Sequence, residues 1–386
     1  MIMYYRLLPC RIFFILFFTF VAFSSRAQFS KLKPGFDAQE CEDLLKINAI
    51  FQDTTRTASI LQHTTGYTLL YRTPNVGLDN VADIWLRQDS AVVLAIRGTT
   101  TKMESFLEDF YCAMVPAAGT LQLTNEKAFD YKLAEDPKAA VHAGFLIGFG
   151  YLAEQLKPKF DELYAKGYRD FMISGHSQGG ALCYYFSAWL MYKRKQGEFK
   201  GITVKTYASA PPKMGNMYFA YDYDNAHLSM WTFSIVNSAD PVPEMPLTTQ
   251  QLEIDMNEPN PILNLEARFN DLSWLKRWFV KKAFNKMKNS AQKSSEAYQK
   301  YLGKYVGDFI HKSLPELQLP NPVKTTYFVR PGVPIVLSAN EAYKEKFKNA
   351  ALYFDHGIDP YRYLLRQYYQ GLEEFVPVLN IKKRID

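Results

Sequence analysis

The chain has 386 residues and a formal net charge of +6; 48% of its residues are hydrophobic and 22% are charged. This composition is typical of an ordered globular protein and excludes a disordered or fibrous chain. The length fits one large domain with an insertion, or two small domains. Aromatic residues make up 15% of the chain, which indicates a large core or a cleft for an apolar substrate.

Residues 1–27 have the pattern of a secretory signal peptide. Two arginines precede the apolar run Ile12–Phe23, which is too short to span a bilayer comfortably. Small residues then stand where a signal peptidase would cut. We therefore expect an exported protein, periplasmic or secreted, and we assign residues 28–386 to the folded domain.

Three cysteines follow the predicted signal peptide. In an oxidising compartment Cys41 and Cys112 could form a disulfide, whereas Cys183 lies in an apolar stretch and is expected to be a buried thiol. The chain has six histidines, and no pair of residues has the spacing of metal ligands. We expect neither a metal site nor a cofactor.

Strand-like and helix-like segments alternate along the chain. Helices are predicted within 28–63 and near 104–114 and 143–166. Short apolar runs predict strands at 65–72, 82–87, 91–97, 168–174, 203–209 and 231–236. This alternation predicts an α/β fold with a mostly parallel central sheet covered by helices on both faces. In such a sheet the chemistry gathers at the carboxyl ends of the strands.

The predicted strand at 168–174 leads into the sequence GHSQG, and the apolar stretch 178–193 that follows predicts a helix. A strand, a sharp turn and a helix form a nucleophile elbow, in which a strained serine presents its Oγ at the helix N-terminus. Ser177 is therefore the candidate nucleophile. The alternative is a strand-to-helix turn without chemistry.

A serine nucleophile needs a general base and a carboxylate that orients the base. In doubly wound hydrolases the acid and then the histidine follow the serine. Asp240 comes just after a predicted strand and is the candidate acid; a turn-forming Asp-Pro is the alternative. His356, in a predicted loop before a C-terminal helix, is the candidate base; a surface or helix-capping histidine is the alternative. His227 is expected in a loop, and His311 lies at the edge of an insertion.

An oxyanion hole needs backbone N–H groups aimed at the developing negative charge. The candidates are the amide of Gln178, directly after the serine, and that of Thr99, in the loop after an early strand. The stretch that follows this loop predicts a short amphipathic helix over the site, which we take as a candidate lid. Its apolar side chains are Met103, Phe106, Leu107 and Phe110.

Residues 250–320 differ in character and predict a helical insertion. Between 266 and 305 basic residues far outnumber acidic ones, and apolar residues recur at helical spacing. These apolar residues are Leu272, Leu275, Phe279, Ala283 and Met287. We expect a helix packed on the domain with a solvated basic back. The alternative is an interfacial or cap helix that meets an anionic membrane or the mouth of the site, with Trp274 and Trp278 at the boundary.

Six motifs, taken in order, resemble the class 3 lipase family, the fungal-type triacylglycerol lipases. They are AIRGTT at 95–100, VHAGF at 141–145, GHSQGGAL at 175–182, TYASAPPKMGN at 206–216, VNSADPVPEMP at 236–246 and DHGIDPY at 355–361. The resemblance implies an α/β-hydrolase fold with Ser177 as nucleophile, Asp240 as acid and His356 as base. It also implies Thr99 and Gln178 as oxyanion donors.

The chain departs from the family pattern in three places. Gln178 stands where leucine is common, which keeps the amide but places a polar side chain at the acyl pocket. APPK replaces the usual SPRV, and the interval between acid and base is far longer because of the insertion. Residues 324–337 resemble the hairpin that precedes the family's histidine, which favours His356 over His311. His142, in VHAGF, is expected to be structural.

The motifs and the resemblance together predict an exported serine hydrolase that cleaves carboxylic esters of lipids through an acyl-enzyme. Phospholipase and short-chain esterase activity are alternatives within the same chemistry. A non-catalytic membrane-surface binding protein on a lipase scaffold is an alternative from another class. The expected partners are a lipid or ester substrate and a membrane or lipid-droplet surface met by the basic helix at 266–305. Nucleic acid is not expected, because export removes that partner.

Overall fold

The computed structural model describes residues 31–52, 60, 64–227, 230–260, 262, 273–351, 353–369 and 377–379. The predicted signal peptide, residues 1–27, lies outside the described residues. Parts of the predicted helical segment 28–63 and the start of the predicted basic helix, with Leu272, also lie outside them. In the described part of the chain, no helix is long and apolar enough to cross a membrane.

The strands, in chain order, are β1 (Tyr67–Arg72), β2 (Ala82–Arg87), β3 (Val92–Ile96), β4 (Met114–Pro116), β5 (Ala118–Gln122), β6 (Ala128–Lys132), β7 (Ala140–His142), β8 (Asp170–His176), β9 (Thr203–Ser209), β10 (Thr232–Asn237) and β11 (Val333–Leu337). The α-helices are α1 (Ala38–Ala49), α2 (Met103–Phe110), α3 (Ala143–Ala165), α4 (Gln178–Lys195), α5 (Met217–His227), α6 (Trp274–Tyr298), α7 (Val306–Ser313), α8 (Glu341–Phe347) and α9 (Ile358–Tyr368).

The central sheet has seven strands in the order β1-β2-β3-β8-β9-β10-β11. Strand β2 pairs antiparallel with β1 and with β3. The remaining neighbours in this order, from β3 and β8 to β10 and β11, pair parallel. The prediction of a mostly parallel sheet is therefore confirmed. Two small sheets, β4 with β7 and β5 with β6, were not predicted.

Helices cover both faces of this sheet, as parallel strands require. One core lies under α3 and α4 and includes Phe145, Phe149 and Trp189; the other lies under α1 and α9 and includes Leu44 and Leu365. The predicted α/β-hydrolase fold class is confirmed by this arrangement, in which α4 follows β8 at the middle of the sheet.

A buried ion network ties the first helix to the last. The guanidinium of Arg362, on α9, donates to Glu42 on α1 at 2.7 Å and to Asp359 at 2.8 Å. Buried charges are tolerated only when they are paired and hydrogen-bonded, and losing one partner is costly. The network therefore holds α1 and α9 together on one face of the sheet.

Two predictions of local structure are wrong, and the possible disulfide between Cys41 and Cys112 is absent. Residues 324–337 form no hairpin: after single bridges, β11 pairs parallel with β10, more than 90 residues earlier in the chain. Cys41 and Cys112 are free, buried thiols that lie in separate apolar clusters. His227 ends α5 instead of lying in a loop; it is buried, and its Nε2 lies 2.7 Å from Ser187 Oγ. Cys183 is a buried free thiol, as predicted.

The basic insertion is helical, but its apolar stripe is not packed on the domain. Helix α6 continues through a π-helical turn, Gln299–Tyr305, into α7. Leu275, Phe279 and Met287 are 58%, 66% and 66% exposed. Ala283 is exposed as well. The side of α6 that meets the domain is largely polar, with Ser295 buried, so the predicted orientation of the helix is wrong.

Candidate active site

Ser177 sits in a strained turn between β8 and α4. Its φ is 61° and its ψ is −128°. Residues other than glycine rarely adopt this backbone conformation, and such strained residues are often found in active sites. The Ser177 N–H donates to the carbonyl oxygen of Ser209, at the end of β9, at 2.9 Å. This bond fixes the turn on the sheet, and the hydroxyl points away from the helix as an elbow requires.

Two glycines allow the loop after β3 to lie directly against this turn. A Cβ on Gly98 would lie 2.5 Å from the carbonyl oxygen of His176 and 3.4 Å from Ser177 Cβ. A Cβ on Gly179 would lie 2.2 Å from the carbonyl oxygen of Ile96. Distances this short to backbone atoms exclude any larger residue. The close approach brings Thr99, the next residue of the loop, beside Ser177.

The three predicted side chains Ser177, His356 and Asp240 form one hydrogen-bonded chain. Ser177 Oγ lies 2.8 Å from His356 Nε2, and His356 Nδ1 lies 2.8 Å from Asp240 Oδ2. Since a carboxylate only accepts, Nδ1 carries the proton and Nε2 is free to accept the serine proton. The His356 side chain is 22% exposed and that of Asp240 is buried, so the imidazole faces the opening of the site.

Two further donors hold the carboxylate of Asp240. Its Oδ2 accepts from the hydroxyl of Tyr361 at 2.7 Å, and its Oδ1 accepts from the N–H of Val242 at 2.9 Å. Burial raises the pKa of Tyr361 well above its usual range, so the phenol remains a donor. Tyr361 was not predicted as a site residue, although it ends the motif DHGIDPY.

His176 joins the elbow to the loop that carries the base. Its Nε2 lies 2.7 Å from the carbonyl oxygen of His356 and its Nδ1 lies 3.0 Å from Ser209 Oγ. Burial lowers the pKa of His176 to about 3, so the ring is neutral. A carbonyl only accepts, and therefore Nε2 carries the single proton. The Ser209 hydroxyl lies between the bare Nδ1 and the carbonyl oxygen of Gly175, which is 3.1 Å from Ser209 Oγ.

A second tether reaches the same loop from β10. The side-chain amide of Asn237 donates to the carbonyl oxygen of Asp355 at 3.0 Å, and the Tyr343 hydroxyl donates to the Asp355 carboxylate. The loop bearing His356 is thus held at its backbone from both β8 and β10. Asn237 lies in the motif VNSADPV, but the sequence did not indicate what it binds.

The two predicted oxyanion donors are amides at the edge of the turn. Gln178 is the first residue of α4, where the N–H groups have no acceptor within the helix and the helix dipole is positive. In the described part of the chain, neither the Gln178 N–H nor the Thr99 N–H donates to another protein group. Both amides are therefore available to a substrate oxygen.

A buried carboxylate lies behind these donors. Asp109 Oδ2 accepts from Thr99 Oγ1 at 2.8 Å, and Oδ1 accepts from the side-chain amide of Gln178 at 3.1 Å. Burial raises the pKa of Asp109 to about 7, although both hydrogen bonds favour the anion. The Gln178 amide also donates to the Ser105 carbonyl oxygen at 3.1 Å. These two hydrogen bonds attach the Gln178 side chain to α2.

The predicted amphipathic helix is present as α2, but its apolar side faces solvent. Met103, Phe106 and Phe110 are 68%, 42% and 49% exposed, whereas Leu107 is half-buried. The polar side is buried, and a Cβ on Gly148 of α3 would lie 2.3 Å from the carboxylate of Glu108. The candidate lid is therefore anchored through its polar side chains, with its apolar side chains beside the site.

The remaining predicted residues lie away from the chemistry. His142 is buried at the N-terminus of α3, where Nδ1 accepts from the Phe145 N–H at 3.3 Å, and burial lowers its pKa to about 3. This is the structural place predicted for it. His311 is exposed on α7. Among the residues that the structure describes, no group of three or more His, Cys, Asp or Glu could hold a metal ion.

Residues 93–250 match the family Lipase (class 3). Solved structures of fungal lipases are similar to the chain at low identity. A lipase from Rhizopus microsporus var. chinensis is 21% identical over 54% of this chain and 69% of its own, with a TM-score of 0.40. The Lip2 lipase of Yarrowia lipolytica is 19% identical over 56% and 78%, with a TM-score of 0.43.

A triacylglyceride lipase of Rhizomucor miehei is 18% identical over 56% of this chain and 77% of its own, with a TM-score of 0.42. The match to a Rhizomucor miehei lipase propeptide complex covers 64% of the length of that lipase chain. No curated protein sequence matches the chain. The match over residues 93–250 confirms the resemblance for the first five motifs, and DHGIDPY at 355–361 lies outside it.

Proposed function

We propose that this chain, a lipase-type ester hydrolase by its class 3 lipase segment at 93–250, acts on acyl esters of lipids. Its catalytic groups in this proposal are Ser177, His356 and Asp240. The observation that carries this proposal is the unbroken chain of 2.8 Å hydrogen bonds from serine to imidazole to carboxylate. Hydrogen-bonded nucleophile, base and orienting acid are the parts that acyl transfer to serine needs.

In the first half-reaction, Ser177 Oγ attacks the ester carbonyl carbon while His356 Nε2 takes the hydroxyl proton. Asp240 stabilises the imidazolium through Nδ1–H. The tetrahedral intermediate collapses when the ester C–O bond breaks and the imidazolium gives its proton to the departing alcohol oxygen. Water then enters, and its oxygen attacks the acyl carbon of the acyl-enzyme while His356 Nε2 removes a proton from it. The bond from the acyl carbon to Ser177 Oγ breaks, and the imidazolium returns the proton to that oxygen. The carboxylic acid is released and Ser177 is restored.

The amides of Thr99 and Gln178 would stabilise the oxyanion of both intermediates. Each such donor contributes about 3 kcal/mol to transition-state stabilisation in serine hydrolases. The anchoring of Thr99 and Gln178 on Asp109 supports this assignment, because donors that are already in place need no reorganisation when charge develops.

The exposed apolar side of α2 supports a lipid-type acyl ester as substrate. Met103, Phe106 and Phe110 stand next to the oxyanion loop, where an acyl chain or a lipid surface would meet them. Triacylglycerols fit this surface. Phospholipids or short-chain esters are the alternatives, and they differ in whether activity needs an interface and in the head group that is accepted.

We also place the enzyme outside the cytoplasm, because the pattern of residues 1–27 is that of a secretory signal. There it would meet its substrate at a membrane or lipid-droplet surface. Comparing the mass of the protein from a periplasmic extract and from the medium with that of the full chain tests both cleavage and destination. Retention of residues 1–27 in a cytoplasmic fraction would refute this assignment.

The test of the activity is hydrolysis of nitrophenyl esters of increasing chain length, with and without a lipid interface. We expect activity that rises with chain length and falls by at least about 10³-fold in Ser177→Ala. Activity confined to short soluble esters would assign an esterase. Equal, catalysed turnover by the wild type and Ser177→Ala would refute the role of Ser177, and no turnover by the wild type would favour a non-catalytic surface-binding protein.

A further inference from the structure

Helix α6 presents large apolar side chains to solvent. Trp274, Trp278 and Phe279 are 78%, 55% and 66% exposed. Residues three and four apart lie on one side of a helix, so Trp274 and Trp278 lie beside the row formed by Leu275 and Phe279. Met287 continues that row two turns later, and we call these five residues the α6 face. Contiguous exposed apolar side chains of this size mark a contact site.

Polar contacts on the other side of α6 fix its orientation. The buried Ser295 hydroxyl accepts from Gln251 Nε2 at 2.9 Å and from Thr326 Oγ1 at 3.0 Å, and Lys288 pairs with Glu253. Turning the helix to bury the α6 face would break these bonds. The exposure of the face is therefore built into the way the insertion attaches to the domain.

The charge of the helix indicates what the face contacts. Seven of the residues of α6 are basic, and the single acidic one, Glu296, lies near its C-terminal end. Lys282 and Lys286 project on the exposed side, and Lys282 Nζ lies 4.6 Å from the centre of the Trp278 ring. Aromatic rings with interleaved lysines suit the boundary of an anionic bilayer, where rings enter the head-group layer and ammonium groups meet lipid phosphates.

We infer that the α6 face docks the protein on an anionic lipid surface, with the helix lying along that surface. The inference rests on the proposed function only in that this surface would carry the ester substrate. A second copy of the chain fits less well, because it would bring two strongly basic helices together. The insertion also contacts the candidate lid, because its helix α7 packs on α2. Phe309, on α7, is exposed.

The test is co-sedimentation of the Ser177→Ala protein, residues 28–386, with phosphatidylcholine vesicles, alone or mixed with phosphatidylglycerol. We expect binding to the mixed vesicles that is at least about tenfold tighter and weakens with salt. Two variants should each lose about tenfold or more of this binding: one combines Trp274→Ala, Trp278→Ala and Phe279→Ala, and the other combines Lys282→Glu and Lys286→Glu.

The matched control combines Lys33→Glu with Lys200→Glu. Both lysines are exposed near the amino ends of β8 and β9, at the opposite edge of the sheet from Ser177, and this variant should keep full vesicle binding. Equal vesicle binding by the wild-type and both α6 variants would overturn the inference. So would concentration-dependent self-association that the aromatic variant abolishes, since the face would then bind a second copy.

Hydrolysis of a soluble short-chain ester separates this inference from the proposed function. The α6 variants, made with Ser177 intact, should cleave that ester at the wild-type rate, because the side chains that they change are exposed to solvent. Vesicle binding without any ester cleavage would leave the docking surface standing and remove the proposed hydrolase. Ester cleavage without vesicle binding would do the reverse.

Discussion

The imidazole of His176 donates a 2.7 Å hydrogen bond to the backbone carbonyl oxygen of His356. His176 directly precedes Ser177 in the elbow, so this bond links the backbone of the nucleophile to the backbone of the candidate base. The separation of Ser177 Oγ from His356 Nε2 therefore depends on a residue that takes no part in proton transfer. His176 is a positioning residue in the proposed mechanism.

Replacing His176 with phenylalanine should lower kcat about 10–100-fold, because a small displacement of the base is costly in a preorganised site. KM should change by less than about twofold, since the ring does not contact substrate. Steady-state kinetics on a soluble ester measure both constants. A kcat within error of the wild type, in protein with an unchanged Tm, would show that the bond does not position the base.

Tyr361→Phe should reduce kcat about 3–10-fold, the effect of removing one hydrogen bond from a carboxylate that retains two other donors. The free energy of unfolding should also fall, by about 1–3 kcal/mol, because the buried carboxylate loses a donor. The control is Tyr131→Phe, which removes a 2.9 Å hydrogen bond to the Pro116 carbonyl oxygen on a small sheet away from the site. Equal kcat values in the two variants would contradict a role for the Tyr361 hydroxyl.

Gln178→Leu restores the residue common in class 3 lipases but should destabilise this protein by about 1–3 kcal/mol, because the buried carboxylate of Asp109 loses a donor. Chemical denaturation at pH 8 measures the change in unfolding free energy. The matched control is Gln196→Leu, at the exposed far end of α4. A stabilised Gln178→Leu protein would mean that the contact with Asp109 contributes nothing.

Asp109 should make the protein less stable as pH rises from about 4 to 7. Its pKa is about 7 in the fold and 3.8 ordinarily, so between these values only the unfolded chain releases the proton. The loss ends above pH 7, where both states are ionised. Asp109→Asn removes this contribution. From pH 4 to pH 7 the free energy of unfolding of the variant should therefore rise relative to that of the wild type by up to about 4 kcal/mol.

Denaturation curves at several pH values measure this difference. Burial raises the pKa of the neighbouring Glu108, and the charge of Asp109 raises it further, so loss of that charge in Asp109→Asn adds to the difference in the same direction. A difference in unfolding free energy that stays constant between pH 4 and 8 would contradict the assignment of a raised pKa to Asp109.

Local sequence signals predicted much of the fold. The apolar strand before GHSQG and the apolar helix after it form a continuous unit, β8 and α4, because periodicity and turn chemistry act over a few residues. The same locality placed Asp240 after a buried strand and His356 in a turn before a helix. These positions lie at the same edge of the sheet, and the structure brings their side chains within hydrogen-bond distance.

Contacts between distant segments were not predictable. His176 and Tyr361 lie in quoted motifs and Asp109 lies in the candidate lid, but each has a partner 69 to 180 residues away in the chain. Residues 324–337 resembled a hairpin because alternating apolar and polar residues predict strands but do not identify the strand with which each one pairs. The apolar stripe of α6 likewise defined a face of the helix, but not whether protein or solvent would cover it.

The burial of the thiols gives the chain internal reporters of unfolding. Burial raises the pKa of Cys112 to about 12 and those of Cys41 and Cys183 well above their usual range, so none forms a reactive thiolate in the fold. Cys41 lies on α1, on one face of the sheet, and Cys183 lies on α4, on the other. In protein without residues 1–27, the order in which an alkylating reagent modifies Cys41 and Cys183 therefore records which helical layer separates first from the sheet.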